Sequence, residues 1–399
     1  MKILVINSGS SSVKYQMIET EKQVCLARGV VERIGMAGAM LIHKPSNKDE
    51  VRLSGEILDH KVAIEYVLSI LLSKNHGVIK DRNEIAAVGH RVVHGGEAFS
   101  GSVLISSDVI KEISNCMDYA PLHNPPNLKG IRATQALLPN VPQVAVFDTA
   151  FHQTMPEYAY MYGLPYVLYK RHGIRRYGFH GTSHLYVFQR AVKLMKISAK
   201  KLKIITCHLG NGCSVAAVNH GESIDTSMGF TPLEGLLMGT RSGDIDPAVV
   251  LHIMNKEELT MHEANTMLNK HSGIQGLSGL SSDMREIEEA YDTNPQAKLA
   301  HQIFCYRLKK YIGAYAAAMG GVDVVVFTGG IGENSSMVRQ FTMDGMEFLG
   351  LQIDKTLNTK NATGERDISR KNSPAKIFVI PTNEELVIAL DTRDIIKSM

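Results

Sequence analysis

The chain has 399 residues, of which 44% are hydrophobic and 21% are charged, with a formal net charge of +3. This composition is typical of a globular protein of two or three domains, and the weak, dispersed charge excludes an extended nucleic-acid surface. No apolar run is long enough to span a membrane, the five cysteines show no paired spacing, and the chain enters a strand without a cleavable signal. We therefore expect a cytoplasmic protein with neither membrane nor nucleic-acid partners.

The first residues predict a β-hairpin with a polar turn. Two apolar stretches, residues 2–6 and 13–18, are separated by Asn7, Ser8, Gly9 and three further serines. Hydroxyl groups, open backbone N–H groups and Lys14 together suit an oxyanion such as phosphate. A simple solvated turn is equally compatible with this composition.

A second copy of the hairpin pattern favours the phosphate interpretation. Residues 202–218 read LKIITCHLGNGCSVAAV, so that Gly210 aligns with Gly9 and His208 aligns with Asn7. Repetition at this distance indicates a duplicated domain rather than a short-period solenoid. We therefore expect two related domains, each with a polar hairpin turn, and one nucleotide in the cleft between them.

The rest of the first half predicts a sheet with helices. In chain order, the pattern indicates a strand at 24–31, a polar surface excursion at 44–56, a helix at 56–72, a strand at 85–93, a proline-rich loop at 120–127 followed by a helix, and a strand at 143–147.

Two charged residues in these strands are candidates for a functional site. Arg91 lies inside an apolar strand, so it must pair with a carboxylate or face a cleft that binds an anion. The glycines that follow His94 favour the cleft. Asp148 ends the next strand, where a carboxylate either faces the ligand crevice of an α/β sheet or caps a helix.

The middle of the chain supplies a histidine pair and an irregular glycine-rich stretch. His180 and His184 lie four residues apart, but Gly181 stands where a zincin needs glutamate, so the metal interpretation fails. A lone histidine in such a loop is more often structural than catalytic. Residues 225–247 carry Arg241 and show no clear periodicity, which is typical of a functional segment. Two arginines, Arg91 and Arg241, suit the charge of a phosphoryl group in transfer.

The C-terminal part predicts a second αβ arrangement. A long helix begins at Asn294 and Pro295, a strand follows at 322–327, and the glycine turn at 328–335 leads into another helix. This turn matches a dinucleotide fingerprint only weakly. After a strand at 376–380, Glu384 and Glu385 open the last helix, where they either favour its N-terminus or hold Mg²⁺.

Taken together, the motifs resemble those of the acetate kinase family, and the resemblance covers essentially the whole chain. They are LVINSGSSSVK (residues 4–14), GHRVVHGG (89–96), VFDTAFHQTMP (146–156), YGFHGTSH (177–184), HLGNGCS (208–214), MGFTPLEG with GTRSGDIDP (228–247), FTGGIGENS (327–335) and PTNEE (381–385).

The resemblance implies an α/β architecture, the duplicated ribonuclease H-like fold of actin, Hsp70 and the sugar kinases, with nucleotide in the inter-domain cleft. It implies an N-terminal domain of residues 1–150, to which 385–399 return, and a nucleotide-binding domain of residues 151–384. It also implies a homodimer.

The resemblance further implies a role for each matched residue, with Asp148 as a catalytic acid and with His180 and Arg241 as stabilisers of the transition state. The implied sets are Asp148, His180, Arg241 and Arg91 for catalysis; Arg91, Val93, Leu122, Phe179 and Pro232 for the carboxylate substrate; Lys14, His208, Leu209, Gly210, Asn211, Gly212, Asp283, Met284, Arg285, Ile331, Gly332, Glu333, Asn334 and Ser335 for ATP; and Asn7 and Glu384 for the metal.

The implied reaction is reversible phosphoryl transfer from ATP to acetate, giving ADP and acetyl phosphate, with Mg²⁺ as cofactor and Mn²⁺ as an alternative. Acetate is already an anion at neutral pH, so catalysis requires alignment and charge neutralisation rather than a base. A propionate or butyrate kinase is the nearest alternative. A chaperone or filament ATPase of the same fold is disfavoured, because the chain lacks an appended peptide-binding domain.

Overall fold

The computed structural model describes residues 1–360 and 362–399, which divide into two compact units. The first unit consists of Met1–Phe151 and Asn383–Met399, and the second is His152–Thr382. Glu384 is therefore grouped with the first unit, whereas the boundaries predicted from the sequence give it to the second domain. Among the described residues, no helix combines the length and apolar character of a membrane span.

The first unit is built on one eight-stranded sheet. Its strands are β1 (Lys2–Ser8), β2 (Ser12–Glu19), β3 (Val24–Glu32), β4 (Met40–Pro45), β5 (Val51–Ser54), β6 (Ile85–Val92), β7 (Val103–Leu104) and β8 (Gln143–Phe147). Its first three helices are α1 (His60–Leu71), α2 (Ser107–Asn115) and α3 (Asn124–Leu137).

The strand order of this sheet is β5-β4-β3-β2-β1-β6-β8-β7. Strands β1 to β5 are antiparallel neighbours, while β1, β6 and β8 run parallel. The interpretation of residues 44–56 as a surface excursion was wrong, because β4 extends to Pro45 and β5 forms the edge of the sheet. Three of the four residues of β5 are exposed, so its sequence lacks the apolar alternation that identifies a strand.

The second unit is built on a six-stranded sheet. Its strands are β9 (Lys203–Leu209), β10 (Cys213–Asn219), β11 (Glu222–Thr226), β12 (Val324–Thr328), β13 (Arg366–Asp367) and β14 (Lys376–Val379). Its helices are α4 (Glu157–Tyr160), α5 (Tyr166–His172), α6 (Gly181–Met195), α7 (Pro247–Lys256), α8 (Met261–Lys270), α9 (Gly273–Ser278), α10 (Met284–Glu289), α11 (Pro295–Met319), α12 (Gly329–Asn334), α13 (Ser336–Met343) and α14 (Lys355–Thr359).

The two sheets share one topology, which confirms the duplication. The second sheet has the order β11-β10-β9-β12-β14-β13, with β9, β10 and β11 antiparallel and with β12 and β14 parallel to β9. This repeats the arrangement of β3, β2, β1, β6 and β8. Each first strand has seven residues and ends immediately before the aligned glycine, Gly9 or Gly210. The first turn is one residue longer, since Ser8 pairs with Val13 whereas Leu209 pairs with Cys213.

The last helix, α15 (Glu384–Lys397), packs against β6 in the first unit. The contact depends on Gly89: a Cβ atom at this position would lie 2.5 Å from Thr392 Oγ1 and 2.7 Å from Ile388 Cγ2. Any side chain here would push the helix away from the strand. The close approach brings the first residue of α15, Glu384, towards the end of β6 where Arg91 lies.

Three buried histidines make the stability of the fold dependent on pH. Burial lowers the pKa of His90 and of His152 to about 4, and lowers that of His184 well below its ordinary 6.5. The unfolded chain takes up protons on these rings below pH 6.5, while the folded chain does not. The stabilising contribution of the neutral histidines is therefore full above pH 6.5, the pKa of a histidine in the unfolded chain. It is lost as the pH falls towards the lower pKa of the folded protein.

We expect the free energy of unfolding, measured with urea, to fall by about 1 kcal/mol for each of these histidines between pH 7.5 and 5.5. His152→Gln, which keeps a hydrogen-bonding side chain, should make this pH dependence shallower. A stability that stays constant across the same range would show that these rings do not remain neutral in the folded protein.

Candidate functional site

The first unit carries one cluster of candidate residues, a buried ion pair at the ends of two adjacent parallel strands. Arg91, in β6, donates from Nε to Asp148 Oδ1 at 2.9 Å and from Nη2 to Asp148 Oδ2 at 2.7 Å. Asp148 follows β8 directly, is 1% exposed, and donates its backbone N–H to the carbonyl of Val92. The bidentate geometry fixes the guanidinium at the ends of these strands.

The ion pair answers the question that the sequence left open about Arg91. The arginine does have a carboxylate partner, yet its side chain remains 22% exposed. Burial alone would lower the pKa of Arg91, but the charges of Asp148 and Glu384 raise it above its usual range, so the guanidinium stays charged. Asp148 holds one edge of the guanidinium, and the rest of the Arg91 side chain is partly open to solvent.

Two glutamates at the start of α15 make the surroundings of this pair acidic. Glu384 Oε2 lies 3.9 Å from Arg91 Nη2. Burial and then the charge of Glu384 raise the pKa of the neighbouring Glu385, while Arg91 and Lys14 lower it. Burial likewise raises the pKa of Asp148, although the ion pair with Arg91 opposes this. The charges of all three carboxylates thus act on Arg91.

Asn7 and Lys14 stand opposite each other in the first hairpin, at the ends of β1 and β2. Both residues therefore lie at the polar turn of the predicted hairpin, and phosphate binding there stays a prediction. Among the residues that the structure describes, no cluster of three or more histidine, cysteine or acidic side chains could hold a metal ion alone. A Mg²⁺ ion at Asn7 and Glu384 would accordingly need other oxygens, which nucleotide phosphates and water supply.

Two buried asparagines that the sequence analysis missed hold the segment after β6 in place. Asn127 accepts the backbone N–H of Val93 at 3.1 Å and donates to the carbonyl of Ser8 at 2.8 Å. Asn124 accepts the N–H of His94 at 3.1 Å and donates to its carbonyl at 2.9 Å. The amide side chains thereby tie the Val93 segment to the end of β1.

Both asparagines belong to α3, which begins at Asn124 and has proline in its first turn. The prediction of a loop through residue 127 was therefore wrong: proline is tolerated at a helix N-terminus, where its missing N–H has no intrahelical role. Leu122 lies just before this helix and is 56% exposed, whereas Val93 is 7% exposed.

The second unit carries its own cluster of candidate residues, around the turn between β9 and β10. Gly212 has no side chain, and a Cβ atom there would lie 3.4 Å from Arg241 Nη1 and 3.4 Å from His180 Cε1. The glycine turn, the arginine and the histidine predicted from separate motifs therefore meet in one place. The rings of His180 and His208 also stack, with their centroids 4.3 Å apart.

A chain of hydrogen bonds orients His180 from behind. Its Nδ1 lies 2.9 Å from Ser214 Oγ, which lies 2.7 Å from His184 Nε2, and His184 Nδ1 lies 2.7 Å from Thr206 Oγ1. The low pKa of His184, caused by burial, keeps this ring neutral. The backbone of His180 is left-handed, with φ of 57°, a conformation that costs about 1 kcal/mol or more in a residue other than glycine.

Arg241 differs from Arg91 because it has no acidic partner. Its Nη1 donates to the carbonyl of Pro232 at 3.2 Å, and within the described residues no carboxylate pairs with it. Burial lowers the pKa of Arg241 somewhat, as expected for a partly buried cation without a counter-ion. It lies in the irregular stretch that separates β11 from α7, in agreement with the prediction for residues 225–247. Such a cation is suited to bind an anionic ligand.

A cavity of about 750 Å³ includes residues of the same turn in its wall. Eight of the residues predicted to bind ATP line it, and Ser282, Glu288 and Gly330 line it in addition. The eight are Gly210, Asn211, Asp283, Met284, Arg285, Ile331, Asn334 and Ser335.

The remaining predicted ATP-binding residues do not line this cavity. Leu209 is fully buried in β9, and Gly332 lies in α12 against Phe327. The Glu333 carboxylate accepts the backbone N–H of Gly329 at 3.1 Å. His208 and Gly212 belong instead to the cluster around Arg241, and Lys14 belongs to the other unit.

Two residues predicted to bind the carboxylate substrate also lie in the second unit. Phe179 is 1% exposed, and Pro232 contributes the carbonyl that accepts the hydrogen bond from Arg241.

Glu288 also lines this cavity, although no motif of the sequence predicted it as a site residue. Its carboxylate accepts a hydrogen bond from Ser335 Oγ and lies 3.7 Å from the Nε2 of buried His301. Asp283, by contrast, caps α10 by accepting the N–H of Arg285, and the bonds from Arg285 lower the pKa of Asp283 to about 2.

Known proteins of one family resemble this chain over nearly its whole length. Residues 2–390 match the model of the acetokinase family. The chain belongs to the acetokinase family. An acetate kinase of Desulfitobacterium hafniense is 56% identical over 398 residues, which cover 100% of both chains. The acetokinase fold is also shared with two solved structures. The Porphyromonas gingivalis acetate kinase is 50% identical with a TM-score of 0.95, covering 99% of both chains. A propionate kinase from Francisella tularensis is 44% identical with a TM-score of 0.92, covering 98% of this chain and 99% of that one.

Proposed function

We propose that this acetokinase transfers the γ-phosphoryl group of ATP to acetate, reversibly, giving ADP and acetyl phosphate. The observation that carries the proposal is Arg241, a partly buried cation without an acidic partner, held against the glycine turn of β9 and β10. A phosphoryl group in transfer is negatively charged, so it would serve as the counter-ion of this arginine. The 56% identity to a protein named acetate kinase supports acetate as the acceptor.

In the proposed mechanism, a carboxylate oxygen of acetate attacks the γ-phosphorus while the bond to the β,γ-bridging oxygen breaks, and ADP leaves. Arg91 binds the acetate carboxylate and aligns it for attack. Arg241 and His180 neutralise the charge on the equatorial oxygens in the transition state. The resemblance implies that Asp148 is a catalytic acid, whereas its three hydrogen bonds from Arg91 support a different role, that of holding the guanidinium in place.

The remaining predicted site residues would bind the nucleotide and the metal ion. The cavity beside Gly210 and Asn211 fits the adenosine part of ATP, and Lys14 suits its phosphates. The acidic surroundings of Arg91 fit a divalent cation held by Asn7 and Glu384, with Mn²⁺ as an alternative to Mg²⁺. When bound, Mg²⁺ would supply charge neutralisation on the phosphate oxygens.

The reaction is tested by incubating the protein with ATP, Mg²⁺ and acetate in the presence of hydroxylamine, which converts acetyl phosphate to acetohydroxamate. We expect acetohydroxamate to form only when ATP and acetate are both present, and ADP to appear in equal amount. A chaperone or filament ATPase would instead release ADP at the same rate without acetate, and that result would overturn the proposal.

We further propose that acetate is preferred over propionate and butyrate because Val93 limits the pocket beside Arg91. Val93 follows β6 and is placed by its backbone bond to Asn127. One methylene is worth about 1–3 kcal/mol in an apolar pocket, so acetate should exceed propionate by roughly ten- to two-hundred-fold in kcat/KM. This preference would separate the chain from its relative named propionate kinase.

Val93→Ala should raise the propionate-to-acetate ratio of kcat/KM by about tenfold, because it makes room for one methylene. Val92→Ala is the matched control, since its side chain points to the opposite face and is fully buried. The control should lower stability but leave the ratio unchanged. An unchanged ratio in Val93→Ala would show that Val93 does not line the pocket.

We also propose that the protein is a cytoplasmic homodimer in which α7 contributes to the interface. Within the described chain, no residue of α7 is buried, although the helix is largely apolar. Val249 is 42% exposed and Leu251 is 68% exposed. A second copy of the same surface would bury these side chains.

Leu251→Glu should therefore convert the dimer to a monomer. In analytical ultracentrifugation, the measured mass should fall from twice the chain mass to the chain mass of 43.9 kDa. Lys256→Glu, a polar change at the end of the same helix, is the control for added charge. If the wild-type protein sediments as a monomer, the dimer proposal is wrong.

A further inference from the structure

A second cavity, of about 600 Å³, lies in the first unit between the start of α1, α3 and the β1–β2 turn. Its wall includes Ser10 from the turn, His60 and Lys61 from α1, and Lys129 and Arg132 from α3. None of the residues predicted to bind acetate, ATP or metal lines it. The proposed function leaves this cavity without a role.

The charges of the cavity are unbalanced. Lys61, Lys129 and Arg132 are exposed, and none has an acidic partner among the residues that the structure describes. The one carboxylate of the wall, Asp59, is engaged as the N-cap of α1, where it accepts the N–H of Val62 at 2.9 Å. Three unpaired cations around one concave space favour an anion with more than one negative charge.

The wall also has an apolar part, formed by Ile34, Leu58, Ala133 and Ala136. Inorganic phosphate would leave this part uncovered, whereas an organic phosphate would cover it with its carbon skeleton. We propose that the cavity binds a small phosphate monoester, with the dianionic phosphate at Lys129 and Arg132 and the organic group against the apolar wall.

Hydrogen bonds link the elements that form the cavity wall to the β1–β2 turn and to the Val93 segment. The Nε2 atom of His60 is 2.7 Å from the carbonyl oxygen of Gly9, which belongs to the same turn as Ser10. The helix that carries Lys129 and Arg132 also carries Asn127, which bonds to Ser8 and Val93. Because these bonds join the cavity wall to the β1–β2 turn and to the helix that holds the Val93 segment, we assign the ligand the role of an effector. The effect on turnover rests on the proposed function, whereas binding does not.

Binding is tested by isothermal titration calorimetry with phenyl phosphate, which joins an apolar ring to a phosphate dianion. The titration is made with MgADP saturating, so that the nucleotide site is filled. The wild type is compared with K129E/R132E and with a control, K74E/K111E, which makes the same charge change at two exposed lysines of this unit outside the cavity. Circular dichroism melts check that both variants are folded.

We expect the wild type and the control to bind phenyl phosphate, and K129E/R132E to bind it about tenfold or more weakly because four units of charge are changed near the ligand. Inorganic phosphate should bind more weakly than phenyl phosphate. Equal affinity of phosphate and phenyl phosphate would overturn the organic part of the assignment. Equal binding by K129E/R132E and wild type, or no binding in the presence of MgADP, would overturn the site.

The effector role is tested by adding phenyl phosphate to the acetohydroxamate assay. We expect a change in kcat or in the KM for acetate that saturates in the wild type and is absent in K129E/R132E, whose activity without phenyl phosphate should be normal. A rate that does not respond while binding is observed would overturn the effector role. Loss of the acetate-dependent reaction itself would instead overturn the proposed function.

Discussion

Replacing Arg241 with alanine should lower kcat by about three to five orders of magnitude, the effect expected when an arginine that stabilises a phosphoryl transition state is lost. Within the part of the chain that the structure describes, Arg241 makes no ion pair whose loss would destabilise the second unit, and its guanidinium donates to the Pro232 carbonyl. Binding of ADP, measured by calorimetry, should change little because the adenosine cavity is lined by other residues. The main loss should therefore appear in kcat.

Arg171→Ala removes an exposed arginine from the same unit and serves as the matched control. Arg241→Lys keeps the charge but not the planar fork, so its activity should lie between those of the alanine variant and the wild type. Turnover within a factor of ten of the wild type in Arg241→Ala would mean that another group neutralises the phosphoryl charge.

Replacing Arg91 with alanine should lower kcat/KM for acetate by two or more orders of magnitude and should also destabilise the protein. The carboxylate of Asp148 would lose its partner in a site where it is 1% exposed, and an uncompensated buried charge costs about 3–5 kcal/mol. Steady-state kinetics with varied acetate measure the first effect, and urea unfolding measures the second.

The double variant Arg91→Ala/Asp148→Asn separates these two effects. Because it removes the stranded charge, it should regain much of the stability lost in Arg91→Ala. It should not regain activity, since the cation that binds acetate is still absent. If the double variant recovered wild-type kcat/KM, the role of Arg91 in binding acetate would be refuted, and its function would be limited to balancing Asp148.

Much of the architecture could be predicted because it rests on local patterns that occur twice. The two strands that lead to Gly9 and Gly210 each have seven residues, so the alignment of the two motifs corresponds to a true structural repeat. The irregular stretch containing Arg241 could be recognised because four glycines and two prolines leave it no helical or strand period.

The features that could not be predicted depend on contacts between distant parts of the chain. Gly89 resembles any glycine in a strand until α15, almost three hundred residues later, packs onto it. Asn124 and Asn127 look like loop residues, and only the fold brings them to the backbone of the Val93 segment. Glu288 lies in an ordinary amphipathic helix whose position beside Ser335 is set by tertiary packing.

The most direct test of the proposed site is a crystal structure of the protein with ADP, Mg²⁺, acetate and aluminium fluoride, which mimics the transferring phosphoryl group. We expect the adenosine to occupy the cavity lined by Asn211, Asp283 and Ile331, the fluoride ligands to contact Arg241, and the acetate carboxylate to contact Arg91 with its methyl group against Val93. Acetate bound away from Arg91, or aluminium fluoride with no contact to Arg241, would contradict the proposed mechanism.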